Sequence, residues 1–151
     1  MIKKDYIEIV FLITLGAASS LSLPPYNYLI INFFTFSVFF VFLFKKSKIS
    51  QSKKHFFFYG WLFGFGYFLS SLYWISISLT FDQNFKFLIP ITIILIPSFL
   101  GIFYGLATFC FIISKSKKVV SSFFIFSLFL GVFEFIRGSI LTGFPWNLIA
   151  Y

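Results

Sequence analysis

Apolar positions dominate five long stretches of the chain, roughly Tyr6 to Leu23, Leu29 to Phe44, Phe57 to Leu79, Phe87 to Ser114 and Val119 to Phe135, each bounded by lysines or turn residues. A bilayer core about 30 Å thick is crossed by about 20 apolar residues in helical form, so each stretch is read as a span. The pattern predicts an all-α integral membrane protein, a multi-span transmembrane helix bundle with about five spans in this stretch. The fourth run carries Pro90 and Pro97. Pro97 lies well inside it, where it removes a backbone hydrogen bond and is expected to bend the helix.

The connections assign direction to these spans. Pro24-Pro25-Tyr26-Asn27-Tyr28 joins the first two as a tight turn whose tyrosines suit the boundary between headgroups and water. Lysines fill alternate connections: Lys45, Lys46, Lys48, Lys53 and Lys54 precede the third run, and Lys115, Lys117 and Lys118 precede the fifth. With Lys3 and Lys4, ten of the 12 basic residues fall on one side, which is therefore cytoplasmic, and the N-terminus with it. Lys86 and Arg137 fall on the outer side. A competing reading takes Lys3-Lys4, the first apolar run and Gly16-Ala17-Ala18-Ser19 as a signal peptide. Asp5 and Glu8 argue against it, the apolar run continues to Leu23, and the later topology is the same either way.

Composition agrees with the pattern. The chain has 151 residues, 60% hydrophobic, 26% aromatic and 11% charged, more apolar than a soluble core of this size could cover. Most of the 28 Phe residues are read as generic lipid-facing or packing groups. A net charge of +8 would admit nucleic acid as a partner, but the charges form short clusters between apolar runs rather than one polar face, and no nucleic acid is expected. One cysteine, Cys110, and one histidine, His55, give no disulfide framework, no metal site and a poor nucleophile–base pair, because Cys110 is expected deep in hydrocarbon and His55 in a basic loop. Gly60 with Gly64, and Gly101 with Gly105, have the spacing that lets helix backbones approach closely. Packing within one bundle is the default reading, so a monomer is expected.

Candidate binding chemistry lies at two places. Tyr73-Trp74 with Ser76 and Ser78 closes the third run, either as an aromatic belt or as a lipid contact. Glu134 and Arg137 are three apart, on one helix face, followed by Thr142-Gly143-Phe144-Pro145-Trp146-Asn147. The charged residues form either a self-neutralising pair at a helix end, with Arg137 reaching toward phosphates, or a surface that faces substrate. The Gly, Pro and aromatic residues behind them suit a shaped re-entrant or interfacial loop.

The order of these motifs resembles that of bacterial apolipoprotein N-acyltransferases. The resemblance is carried by Ser22-Leu23-Pro24-Pro25-Tyr26, by Gly60-Trp61-Leu62-Phe63-Gly64-Phe65-Gly66 running to Leu72-Tyr73-Trp74-Ile75-Ser76-Ile77-Ser78, and by Glu134-Phe135-Ile136-Arg137-Gly138 followed by Leu141-Thr142-Gly143-Phe144-Pro145-Trp146. It implies a membrane bundle in the bacterial inner membrane carrying an outer-face nitrilase-like domain. A cysteine there, with a glutamate base and a lysine, would take an acyl chain from a phospholipid as a thioester and pass it to the amino group of a diacylglyceryl-cysteine at a lipoprotein's N-terminus. The phospholipid donor, the diacylated apolipoprotein and membrane lipids are the implied partners, and no cofactor is implied. Residues 1–151 then read as an incomplete N-terminal transmembrane domain, with the nitrilase-like domain expected after 151 and no catalytic residue in this stretch. Glu134, Arg137, Gly143, Phe144, Pro145 and Trp146 are the expected outer-face lipid entrance. The rival reading is a small transporter or channel subunit, although apart from Glu8 and Glu134 near segment ends no ionisable group lies inside a run.

Overall fold

The computed structural model describes residues 2–49, 52–73, 77, 80–81 and 83–140, the side chains of 2–5 and 83–85 excepted. These residues contain five helices and no strand: α1 (Ile2–Ser19), α2 (Ile30–Lys46), α3 (Lys53–Ser71), α4 (Ile89–Ser114) and α5 (Val119–Ile140). Short 3-10 segments, Ser20–Ser22 and Gln83–Leu88, extend α1 and lead into α4. The 86–114 stretch and α5 are each long and apolar enough to cross a membrane. Large apolar side chains also cover the outside, among them Phe33 and Phe135, which are 75% and 76% exposed. An apolar surface of that extent is a surface made for lipid or for another protein.

Two boundaries differ from the hydropathy pattern. α3 stops at Ser71, where Leu72 takes φ −110° and ψ 6° and its N–H returns to the Phe68 carbonyl, so the expected continuous span to Leu79 is interrupted at Leu72, with Tyr73 and Ile77 helical beyond it. Ser70 and Ser71 are poor helix continuers because their hydroxyls offer alternative partners, and the Ser20 hydroxyl bonds to that of Ser70 at 2.8 Å. Trp74, Ser76 and Ser78 lie outside the described residues. At the other extreme, α5 runs to Ile140, five residues past its expected end at Phe135.

The α1–α2 connection is the tight turn its prolines predict. Asn27 has φ 55°, the left-handed conformation that Asn tolerates better than most residues, and the Tyr28 N–H closes the turn on the Leu21 carbonyl at 3.1 Å. Ser19 adds a 2.7 Å bond to the Thr35 hydroxyl, tying α1 to α2 beneath it.

α3 is the central helix, packed on α1 on one side and on α4 on the other. Glycines make both seams. Side-chain carbons at Gly16 or Gly66 would run into the backbone of α3 or α1, and Gly64 brings Gly101 Cα within 3.0 Å of the place its own Cβ would occupy. The expected close approach through Gly60, Gly64, Gly101 and Gly105 is therefore the α3–α4 interface of one bundle. Pro97 is buried inside α4, and beside it Trp61 Nε1 donates to the Ser98 carbonyl at 2.9 Å. Aromatic stacking fills the remaining core, with Phe39 and Phe63 face to face at 4.3 Å and Phe126 edge-on to Phe39 at 5.9 Å.

The antiparallel arrangement brings the lysine loops to one end. There Lys46 pairs with Glu8, whose second carboxylate oxygen accepts from the Tyr59 hydroxyl at 3.2 Å, linking α1, α2 and α3. Because the ion pair is only about one-seventh exposed, Glu8→Ala is expected to cost about 1–3 kcal/mol, read as a lower thermal unfolding midpoint in detergent. An unchanged midpoint would mean that these bonds do not hold the three helices together.

Candidate functional site

The extra turns of α5 change the setting of its charged residues. Arg137 is not at the outer surface, as its place past an apolar run suggests, but fully buried. Its Nη2 donates to Glu134 Oε2 at 2.9 Å along the same helix face, and its guanidinium carbon sits 4.8 Å from the centroid of the Phe68 ring on α3. A buried guanidinium loses much hydration energy, and a paired carboxylate together with an aromatic face offsets that loss.

Two buried tyrosines complete the cluster. Tyr67 on α3 and Tyr104 on α4 have ring centroids 6.1 Å apart, and Tyr104 also packs edge-on against Phe68 at 5.7 Å. Both phenols lie within electrostatic reach of Glu134 and Arg137. Tyr67 follows Gly64 by three residues, and Tyr104 follows Gly101 by three, so each shares a helix face with the glycine of its seam. The close backbone contact of Gly64 with Gly101 thus brings both phenols to the face where α5 docks. Charge alone would not have revealed these tyrosines; their spacing from the seam glycines is the sequence signal that could have.

This arrangement is a polar cluster among three helices. Glu134 and Tyr104 line a narrow crevice together with Phe103, Ala107, Leu130 and Phe133. Neither a thiol nor an imidazole lies in the cluster. Cys110 is half-buried on α4, and it is level with the first turn of α3 rather than mid-span, since Thr108 bonds to the Phe56 carbonyl at 2.7 Å. Two residues further on, at about 100° per residue, Cys110 is turned well away from α3 and hence from His55. Among the described residues no three His, Cys, Asp or Glu side chains gather as metal ligands would. Of the expected lipid-entrance residues, Glu134 and Arg137 are brought together, while Gly143, Phe144, Pro145 and Trp146 lie outside the described residues.

Comparison with known proteins adds an independent line. Residues 15–151 match the family described as apolipoprotein N-acyltransferase N-terminal domain. The apolipoprotein N-acyltransferase of Allorhizobium ampelinum is 34% identical over 142 residues, which is 90% of this chain and 27% of that protein. That of Rhizobium leguminosarum is 36% identical over 146 residues, covering 92% of this chain and 27% of the relative. The Rickettsia prowazekii protein of the same name is 37% identical over 143 residues, with 94% and 27% covered. The chain spans about a quarter of the length of these curated relatives.

Proposed function

The chain belongs to the apolipoprotein N-acyltransferase family, and on that premise we propose that it is the membrane domain of an enzyme that moves a fatty acyl chain from phospholipid to the N-terminal amino group of diacylglyceryl-cysteine in lipoproteins. The match of residues 15–151 to the family's N-terminal domain carries this reading. In it the helices form a multi-pass bundle in the bacterial inner membrane with the lysine loops in the cytoplasm, supported by the two long apolar helices, the exposed apolar surface and the gathering of lysines at one end. Acyl transfer through a thioester needs a thiolate beside its base, and the buried cluster offers a carboxylate, Glu134, paired with Arg137, but no thiol. The chemistry therefore belongs to a nitrilase-like domain outside these 151 residues.

Burial changes the proposed roles at the outer end. Full burial of Arg137 supports reading Glu134 and Arg137 as positioning residues that fix the end of α5. Gly143, Phe144, Pro145 and Trp146, next in the chain, are proposed to shape the lipid entrance itself.

Two experiments test the reading. In an orientation assay on a Cys110→Ala background, Ser50→Cys is expected to resist an impermeant thiol reagent applied from outside; labelling there would reverse the topology. For function, a chimera in which residues 15–151 replace the matching region of a relative is expected to yield triacylated lipoprotein in cells depleted of their own enzyme, read by mass spectrometry of the lipoprotein N-terminus. The 151 residues alone should yield none. A chimera that inserts normally yet leaves lipoprotein diacylated would refute the assignment.

A further inference from the structure

At the lysine end, two loops far apart in sequence meet over one aromatic ring. Lys115, from the α4–α5 connection, donates to the Ser47 carbonyl at the end of α2 at 3.4 Å, and its Nζ lies 6.0 Å from the centroid of Phe44. Lys48, from the α2–α3 connection, places its Nζ 5.0 Å from the same centroid. Two ammonium groups over one ring repel each other beside a low-dielectric wall, and an anion between them would relieve that repulsion. Compensation from the protein is scarce here. Among the described side chains the carboxylate at this end is Glu8, and it is engaged by Lys46.

The connections that carry the pair also expose apolar side chains close by in the sequence. Ile49, Ile113 and Val120 are 60%, 53% and 68% exposed. A free phosphate would use the cations and leave these side chains in water, whereas a phospholipid uses both: its phosphodiester meets the ammonium groups and its acyl chains cover the apolar side chains. Lys53, Lys54, Lys117 and Lys118 are exposed, and none shares the ring with this pair.

We propose that Lys48 and Lys115 form a binding site for the phosphodiester of an anionic phospholipid in the cytoplasmic leaflet, away from the end at which acyl transfer is placed. The site joins the α2–α3 and α4–α5 connections, so an occupying lipid braces the bundle at its inner end. The inference rests on the membrane-spanning reading and not on the acyl-transfer one. Ser50→Cys labelling tests the former separately: a chain that inserts correctly but shows no anionic-lipid preference fails only here.

The test uses the purified chain in non-ionic detergent, titrated with phosphatidylglycerol or phosphatidylcholine, with bound lipid counted by native mass spectrometry and helicity followed by circular dichroism. Phosphatidylglycerol is expected to bind in preference. At about 1 kcal/mol per lysine, Lys48→Ala with Lys115→Ala should weaken that binding by about 30-fold. Lys53→Ala with Lys54→Ala, the same change in charge, should weaken it clearly less, because neither ammonium group lies over the Phe44 ring. Should the first pair lose helicity, Lys48→Arg with Lys115→Arg takes its place and must retain phosphatidylglycerol while the Lys53/Lys54 pair also retains it. Equal losses in the two alanine pairs would mean a diffuse field, equal binding of phosphatidylcholine would mean no anion site, and displacement of the lipid by equimolar inorganic phosphate would mean a site for free phosphate. Each of these overturns the proposal.

Discussion

Replacing Arg137 with Leu is expected to destabilise the bundle by about 3–5 kcal/mol, because it strands the partly buried Glu134 carboxylate without its cation. Among the described residues, the neighbours Tyr67, Tyr104 and Phe68 supply phenols and an aromatic face but no positive charge. Arg137→Lys is expected to recover only part of the loss, since an ammonium lacks the planar fork and the stacking surface that meet Glu134 and the Phe68 ring together. The informative comparison is Glu134→Leu with Arg137→Leu. Removing both charges leaves apolar groups in an apolar place, and buried pairs replaced in this way are often neutral in stability. The double variant is therefore expected to unfold near the parent midpoint in detergent, well above Arg137→Leu. If the single variant were as stable as the parent, the cluster would not hold α5. If the double variant were as unstable as the single one, the loss would come from the volume and packing of Arg137 and not from stranded charge.

The same cluster shows where sequence reading succeeds and where it stops. The all-helical bundle was legible because long apolar runs and lysine connections are properties of the chain itself, and the shared lysine end follows from antiparallel order. Of the seam glycines, Gly60, Gly64, Gly101 and Gly105 were legible because a four-residue spacing on a helix permits few structural uses. Burial of Arg137 was not, since a charge just past an apolar run reads as a residue reaching water. Its real environment comes from Phe68 and Tyr67 on α3 and Tyr104 on α4, whose proximity exists only once the bundle is assembled. The early end of α3 escaped for a related reason: hydropathy stays high through Leu79, while the Ser20–Ser70 bond at the end of the helix is a tertiary contact. Glu8, Lys46 and Tyr59 likewise come from three separate runs.

The assembled α3–α4 seam also makes a steric prediction. At Gly60, a side-chain carbon would overlap the Tyr104 carbonyl oxygen and the Thr108 hydroxyl. The hydroxyl cannot simply rotate away, because it holds the Phe56 carbonyl at 2.7 Å across the seam. A backbone carbonyl inside a helix moves only if the helix moves. Gly60→Ala is therefore expected to cost about 1–3 kcal/mol by forcing α3 and α4 apart, and Gly60→Leu more, with loss of the folded population in detergent. Gly131 on α5 is the control, having nothing within 4 Å of the place its side-chain carbon would occupy. Gly131→Ala should be neutral or raise stability by up to about 1 kcal/mol through helix propensity alone. Thermal unfolding and protease resistance measured side by side decide the matter. A Gly60→Ala variant as stable as Gly131→Ala would mean that the α3–α4 seam tolerates a gap, and that Tyr67 and Tyr104 reach the Arg137 cluster by some route other than close backbone contact.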